Sequence, residues 1–301
     1  MDKTNEAFII VGAQYQRQTA PAKKNTIWQQ RWREKPVVSV FVLSIIVLGC
    51  IFAGQIMNHD PTNFYLNHLN EAPNAEFYFG TDSLGRDIFS IIWYGGRISL
   101  FIGLLGTCIL TVVGVFYGCI SGTAAQWLDQ LMMRAAEMFS SIPTLLMILL
   151  LLSIMGTPTA FSIAVVIGLT GWMSLARLVR SEVRQIQSSE YMLAARSIGT
   201  PFPRILYKHL LPNFVSAIMF MVVSSVSSCI MMESTLSFLG LGLPVDIVSW
   251  GSMLSLANKA LLTDSWWVIV IPGAFIVLTL LCITNIGHYL RGEANKKSSN
   301  L

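Results

Sequence analysis

Charge is scarce in this chain: Asp, Glu, Lys and Arg make up 12% of its 301 residues, while hydrophobic residues make up 53%. That balance excludes a soluble domain of this size and indicates a polytopic membrane protein. No Gly-Lys dipeptide occurs, so there is no Walker A phosphate loop, and any ATP-driven work must be borrowed from another chain. Histidine is sparse as well. His59, His68, His209 and His288 are too scattered for a His-Glu-x-x-His zinc site. No nucleophile and base can be assembled either, so the chain is expected to hold no metal and to catalyse no reaction. The five cysteines, Cys50, Cys108, Cys119, Cys229 and Cys282, all fall in apolar runs, where helix packing is the expected role rather than disulfides or metal binding. The net charge is +4, but its cations are spread over tails and loops, which argues against a nucleic-acid partner.

Long apolar runs are what the chain has instead. Six approach or exceed the roughly 20 residues a bilayer demands: Val37 to Met57, Ile98 to Ile120, Met138 to Met155, Phe161 to Leu178, Phe214 to Met232 and Trp266 to Ile286. Six crossings put both termini on one side. Of the 20 Lys and Arg residues, all but Arg86, Arg97 and Lys259 then lie on that side, so the positive-inside rule places both termini and the 179 to 213 loop in the cytosol. The expected organisation is an all-α protein with a cytoplasmic tail over 1 to 36, a six-span domain over 37 to 290 with external segments 58 to 97 and 236 to 265, and a cytoplasmic tail over 291 to 301. About 36 residues precede the first run and no small-residue cleavage pattern follows it, so that run is expected to be retained as an anchor in the lipid bilayer. Trp28 and Trp32, with Arg31, Arg33 and Lys35, mark the inner interface.

Between the fourth and fifth runs lies a polar, basic stretch, EYMLAARSIGTPFPRILYKHLLPN, from Glu190 to Asn213. It reads as helix-turn-helix. Ser188 or Ser189 can cap the first helix, Glu190 suits its positive end, and Gly199 suits the position just past its last turn. Thr200 can cap the second, with Pro201 at its first position and Pro212 as its stop. Ala194, Ala195 and Gly199 leave a surface with almost no side chain, open to close approach by another backbone. The stretch resembles the coupling loop of the membrane subunits of ABC importers, whose motif is Glu-Ala-Ala, three residues, Gly, nine residues, Ile, one residue, Leu-Pro. Ala194, Ala195, Gly199, Leu211 and Pro212 fall in register; Leu193 stands where the motif has glutamate and His209 where it has isoleucine. Glu190, one turn earlier, can substitute for the missing acid.

Two further passages are similar to the dipeptide, oligopeptide and nickel branch of those importers: FGTDSLGRDIFSIIWYGGRISL, ending at Leu100, and SFLGLGLPVDIVSWGSML, from Ser237 to Leu254. In the first, Asp82 or Ser83 is expected to cap a short helix, Asp82 to pair with Arg86, and Gly85, Gly95 and Gly96 to allow tight turns. The resemblance implies the type I importer fold, a bacterial cell membrane, a heterodimer with a homologous permease, two ATPase subunits that bind ATP and Mg²⁺, and an extracytoplasmic substrate-binding protein. It implies contact with the ATPase through Glu190, Tyr191, Ala194, Ala195, Gly199, Arg204, Leu211 and Pro212. Peptides are the expected cargo, with nickel or another metal chelate as the alternative within the family.

Ionisable groups beside apolar runs are expensive and often functional. Glu137 follows Arg134 by three residues, and an interfacial helix pair accounts for both. Glu233 ends the fifth run near the outer side, and the candidate arrangement is a pair with Arg97 at the outer mouth, or a place on the substrate path. Met219, Met221, Met231 and Met232 read as packing, Pro143 and Pro158 as helix breaks, and Gly103, Gly106, Gly114 and Gly118 as sites of close helix contact, within the chain or equally at a subunit interface. An ion-gradient transporter would be expected to show paired repeats and midplane carboxylates; no repeat is evident and no run has an acid at its centre.

Overall fold

The computed structural model describes residues 36–188, 211–244, 246–256, 260 and 264–298. Among them the named elements are all helices: α1 (Val37–Ile51), α2 (Ala53–Ile56), α3 (Ile88–Thr123), α4 (Gln126–Ser140), α5 (Thr144–Met155), α6 (Ala160–Gly171), α7 (Met173–Gln187), α8 (Leu211–Phe238), α9 (Trp250–Leu254) and α10 (Trp267–Ser298). Helices α3, α8 and α10 are each long and apolar enough to cross a bilayer.

The third apolar run is broken at Pro143, as expected, and the fourth is bent as well. α4 and α5 meet at 85°, and α6 and α7 at 45°. Pro143 causes the first bend: it precedes α5 as its N-cap, donates no N–H, and biases Ile142 away from the helical region. The second falls at Trp172, directly after Gly171, where the indole packs on Tyr117 with ring centroids 4.5 Å apart. α1 has 15 residues, about 22 Å at the helical rise, and after Phe52 the chain resumes helix in α2. The six runs thus correspond to three unbroken helices, two bent pairs and the short α1.

α3 starts ahead of its apolar run because Asp87 caps it, accepting from the Ser90 N–H at 3.0 Å and the Ser90 hydroxyl at 2.6 Å. The expected cap at Asp82 or Ser83 is therefore corrected. Asp82 instead organises a turn, accepting from the N–H groups of Leu84 (2.8 Å) and Arg86 (3.0 Å), and it forms the expected pair with Arg86 at 2.7 Å. Gly85 has φ +75°, and a Cβ there would stand 2.3 Å from the Tyr65 carbonyl oxygen, so that turn requires glycine. Gly95 and Gly96 are not in turns. They lie inside α3, where the missing side chains admit Ser249 and Trp250.

α3 is the central element, packing on α6, α7 and α8 and touching α1, α2 and α4. One buried cluster joins Ile102, Leu110, Ile163, Leu175, Val179 and Leu236; another gathers Ile88, Ile91 and Ile92 around Trp250 and Val268. Gly103, Gly106, Gly114 and Gly118 are all buried in contacts between α3 and its neighbours. The five cysteines are free. Large apolar side chains stand exposed on the outer faces of the bundle, Val38 at 76%, Ile154 at 75% and Leu281 at 61%, as surfaces against lipid or another membrane subunit do.

Candidate functional site

The amphipathic helix α7 is held in two ways. Its buried residues Leu175, Ala176, Val179 and Val183 recur at helical spacing and lie on the α3 glycines. A Cβ at Gly118 would be 2.6 Å from the Ala176 carbonyl oxygen, and one at Gly122 would be 2.8 Å from Val183 Cγ1. The other hold is electrostatic. Arg180 and Arg184, one turn apart on α7, converge on Asp129 in the first turn of α4. The Arg180 Nε and Nη2 donate to the two carboxylate oxygens at 2.5 Å each, Arg184 Nη2 donates at 2.6 Å, and the Ser121 hydroxyl of α3 donates at 2.6 Å. Asp129 is 1% exposed.

A buried carboxylate bonded on every side by cations and a hydroxyl is favoured in its charged form. Sequence reasoning passed over this group, although Asp129 is the only carboxylate between Asp87 and Glu137 and two arginines at i, i+4 spacing were a signal for it. The Arg134–Glu137 pair read from the sequence does form, exposed, at 3.4 Å.

α7 ends at Gln187, just before the coupling-loop motif. Glu190, Tyr191, Ala194, Ala195, Gly199 and Arg204 lie outside the described residues. Leu211 and Pro212 open α8, with the proline in the first turn, where a missing N–H is harmless.

At the other end of the bundle Glu233 is fully buried. It does not meet Arg97. Its Oε1 accepts from the hydroxyls of Ser249 (2.7 Å) and Ser237 (2.9 Å), and its Oε2 from Ser99 (3.1 Å). Ser249 also caps α9, and Ser99 accepts the Trp250 N–H at 3.1 Å, so one carboxylate ties α3, α8 and α9 together. Arg97 instead donates to the carbonyls of Cys50 (2.6 Å) and Ile51 (2.8 Å) at the end of α1 and lies over the Tyr94 ring. The correction has a geometric cause: residues two apart on a helix face different ways, and Ser99, which meets Glu233, turns Arg97 toward α1.

Between these two ends a cavity of about 400 Å³ runs along α8, lined by Thr144, Thr170, Ser174, Ser224, Ser225 and Ser228 among Ile148, Ile167, Phe220 and Met221. Its wall is mostly apolar, with scattered hydroxyls and no charge. Met221 and Met232 pack on the buried cluster, while Met219 and Met231 are exposed. Among the described residues, no three His, Cys, Asp or Glu side chains converge as metal ligands.

Residues 114–291 match the family described as binding-protein-dependent transport system inner membrane component. The chain is 35% identical over 274 residues to the oligopeptide transport system permease protein OppC of Bacillus subtilis (strain 168), covering 91% of this chain and 89% of that one. It is 36% identical over 271 residues to the dipeptide transport system permease protein DppC of the same organism, covering 90% and 84%. With OppC of Haemophilus influenzae it shares 35% identity over 279 residues, covering 90% and 89%. With α3, α8 and α10 each able to cross a bilayer and the family match spanning more than half of its length, the chain belongs to the inner membrane components of binding-protein-dependent transport systems, the multi-pass permease subunits of ABC importers.

Proposed function

We infer that this permease forms half of the translocation pathway of a peptide importer in a bacterial cell membrane. It pairs with a homologous permease, receives cargo from an extracytoplasmic binding protein, and is driven through residues 190 to 212 by two partner ATPases that hold ATP and Mg²⁺. The carrying observation is the likeness, over about nine-tenths of the chain, to permeases named for oligopeptides and dipeptides. The uncharged, mostly apolar cavity along α8, with its scattered hydroxyls, supports it. A peptide carries amides and charges of both signs. A neutral wall can exchange hydrogen bonds with the amides without trapping either charge, and neutral hydroxyls are tolerated at membrane depth where ionised groups are not. Six crossings with both termini cytosolic complete the reading, α1 with α2 making one and each bent pair another.

The test is uptake of labelled peptide into proteoliposomes holding the whole complex, with ATP inside or outside and with or without the binding protein. Uptake should require both. Gly199→Val should abolish it, because valine resists the left-handed conformation expected there and would hold the ATPase away. That variant should still assemble and accept the loaded binding protein, while ATP hydrolysis no longer rises on its addition. Normal uptake and normal stimulation in Gly199→Val would overturn the coupling role.

A further inference from the structure

Whatever displaces residues 190 to 212 reaches the described bundle through α7, which ends three residues before them, and through α8, which begins at Leu211. Two of the contacts that hold α7 in place differ in kind. The apolar seam on the α3 glycines resists separation through non-directional apolar contact. The Asp129 cluster is directional. Its hydrogen bonds run from α7 and α3 to a single buried carboxylate on α4, so a shift of α7 pulls on α4 through them.

We propose that Asp129 is a positioning residue of the transport cycle, the joint through which movement of the coupling element in α7 is delivered to α4 and α3. This rests on the coupling role inferred above for residues 190 to 212. Arg180 and Arg184 are like charges on one helical face, repelling each other unless an anion lies between them. Without Asp129 the described bonds left between α7 and α4 are those at Ser140, whose hydroxyl accepts from Arg177 at 3.4 Å and donates to the Met173 sulfur at 3.2 Å, and displacement of α7 is passed to α4 less completely. α4 then lags behind the movement of α7. Asp129 touches no cargo and no nucleotide in this role; it acts through α7.

The experiment uses the assembled complex in proteoliposomes and reads peptide uptake per ATP hydrolysed, together with the ratio of binding-protein-stimulated to basal hydrolysis. Asp129→Asn keeps the shape and one acceptor oxygen but removes the charge. It should lower uptake per ATP about tenfold, within the range of measured coupling energies, while basal hydrolysis per assembled complex is retained. Asp129→Glu should recover part of the coupling, and Asp129→Arg with Arg180→Asp should couple better than Asp129→Arg alone. Unchanged uptake per ATP in Asp129→Asn would overturn the proposal. So would a fall in uptake and hydrolysis strictly in proportion to the amount of complex assembled, since that is what a merely structural pair would give. Gly199→Val run in parallel separates the two readings: if it uncouples and Asp129→Asn does not, only the role of Asp129 fails, whereas normal coupling in Gly199→Val defeats both.

Discussion

Glu233 shows how a carboxylate without a cation is kept inside a helical bundle: three serine hydroxyls from three elements point their donors at it. Removing such an acceptor leaves each donor unsatisfied, at about 1–3 kcal/mol apiece when buried. Glu233→Gln, which keeps a carbonyl oxygen in place, should shift the thermal unfolding of the purified complex little, and Glu233→Ala should lower it by several degrees. Equal shifts would show that the serines have other acceptors. Because Glu233 and Arg97 share no partner, Arg97→Gln combined with Glu233→Gln should add within about 0.5 kcal/mol. The sequence marked Glu233 as unusual because an acid beside an apolar run is rare, but it could not name the partners. Serines distant along the chain carry no pattern, and the nearest cation was the obvious but wrong choice.

Helices meet most closely where glycine removes a side chain, and close packing of α3 was legible for that reason, although its partners were not. The glycines of the second apolar run recur at helical spacing, and each meets a neighbour in the bundle. Gly118→Val should prevent the complex from accumulating or lower its unfolding transition, since its Cβ would stand 2.6 Å from a backbone oxygen and 2.7 Å from Val179 Cβ, and overpacking of this kind costs about 1–3 kcal/mol or more. Gly273→Ala is the matched control. No heavy atom lies within 4 Å of a Cβ there, so that change should be neutral or stabilising by up to about 1 kcal/mol. Similar losses at the two glycines would mean that the seam is not the tight contact described. The bends were harder to read. Pro143 announced the first, whereas the break at Trp172 has no proline and comes from tertiary packing, which outweighs local preference.

A permease delivers force from one face of the membrane to the other, so its orientation decides what the two carboxylate clusters do. Asp129 sits near the arm that leads to residues 190 to 212, while Glu233 joins α8 to the 236 to 265 segment, at the opposite end of the same helix α8 that residues 190 to 212 lead into. The positive-inside rule assigns the first end to the cytosol, because all but Arg86, Arg97 and Lys259 of the 20 cations fall with it. Inverting the chain would carry those cations outward against that bias. The assignment is tested with a single new cysteine at Lys297, in intact cells, with a membrane-impermeant thiol reagent. The parent chain is a usable background: Cys50, Cys229 and Cys282 are buried, Cys119 is half-buried, and the exposed Cys108 lies midway along α3 among apolar residues, where a polar reagent does not penetrate. Lys297→Cys should stay unlabelled until the cells are opened, and a cysteine at exposed Glu76 should label at once. Labelling of Lys297→Cys from outside would reverse the orientation of every helix, and with it the assignment of residues 190 to 212 to the ATPases.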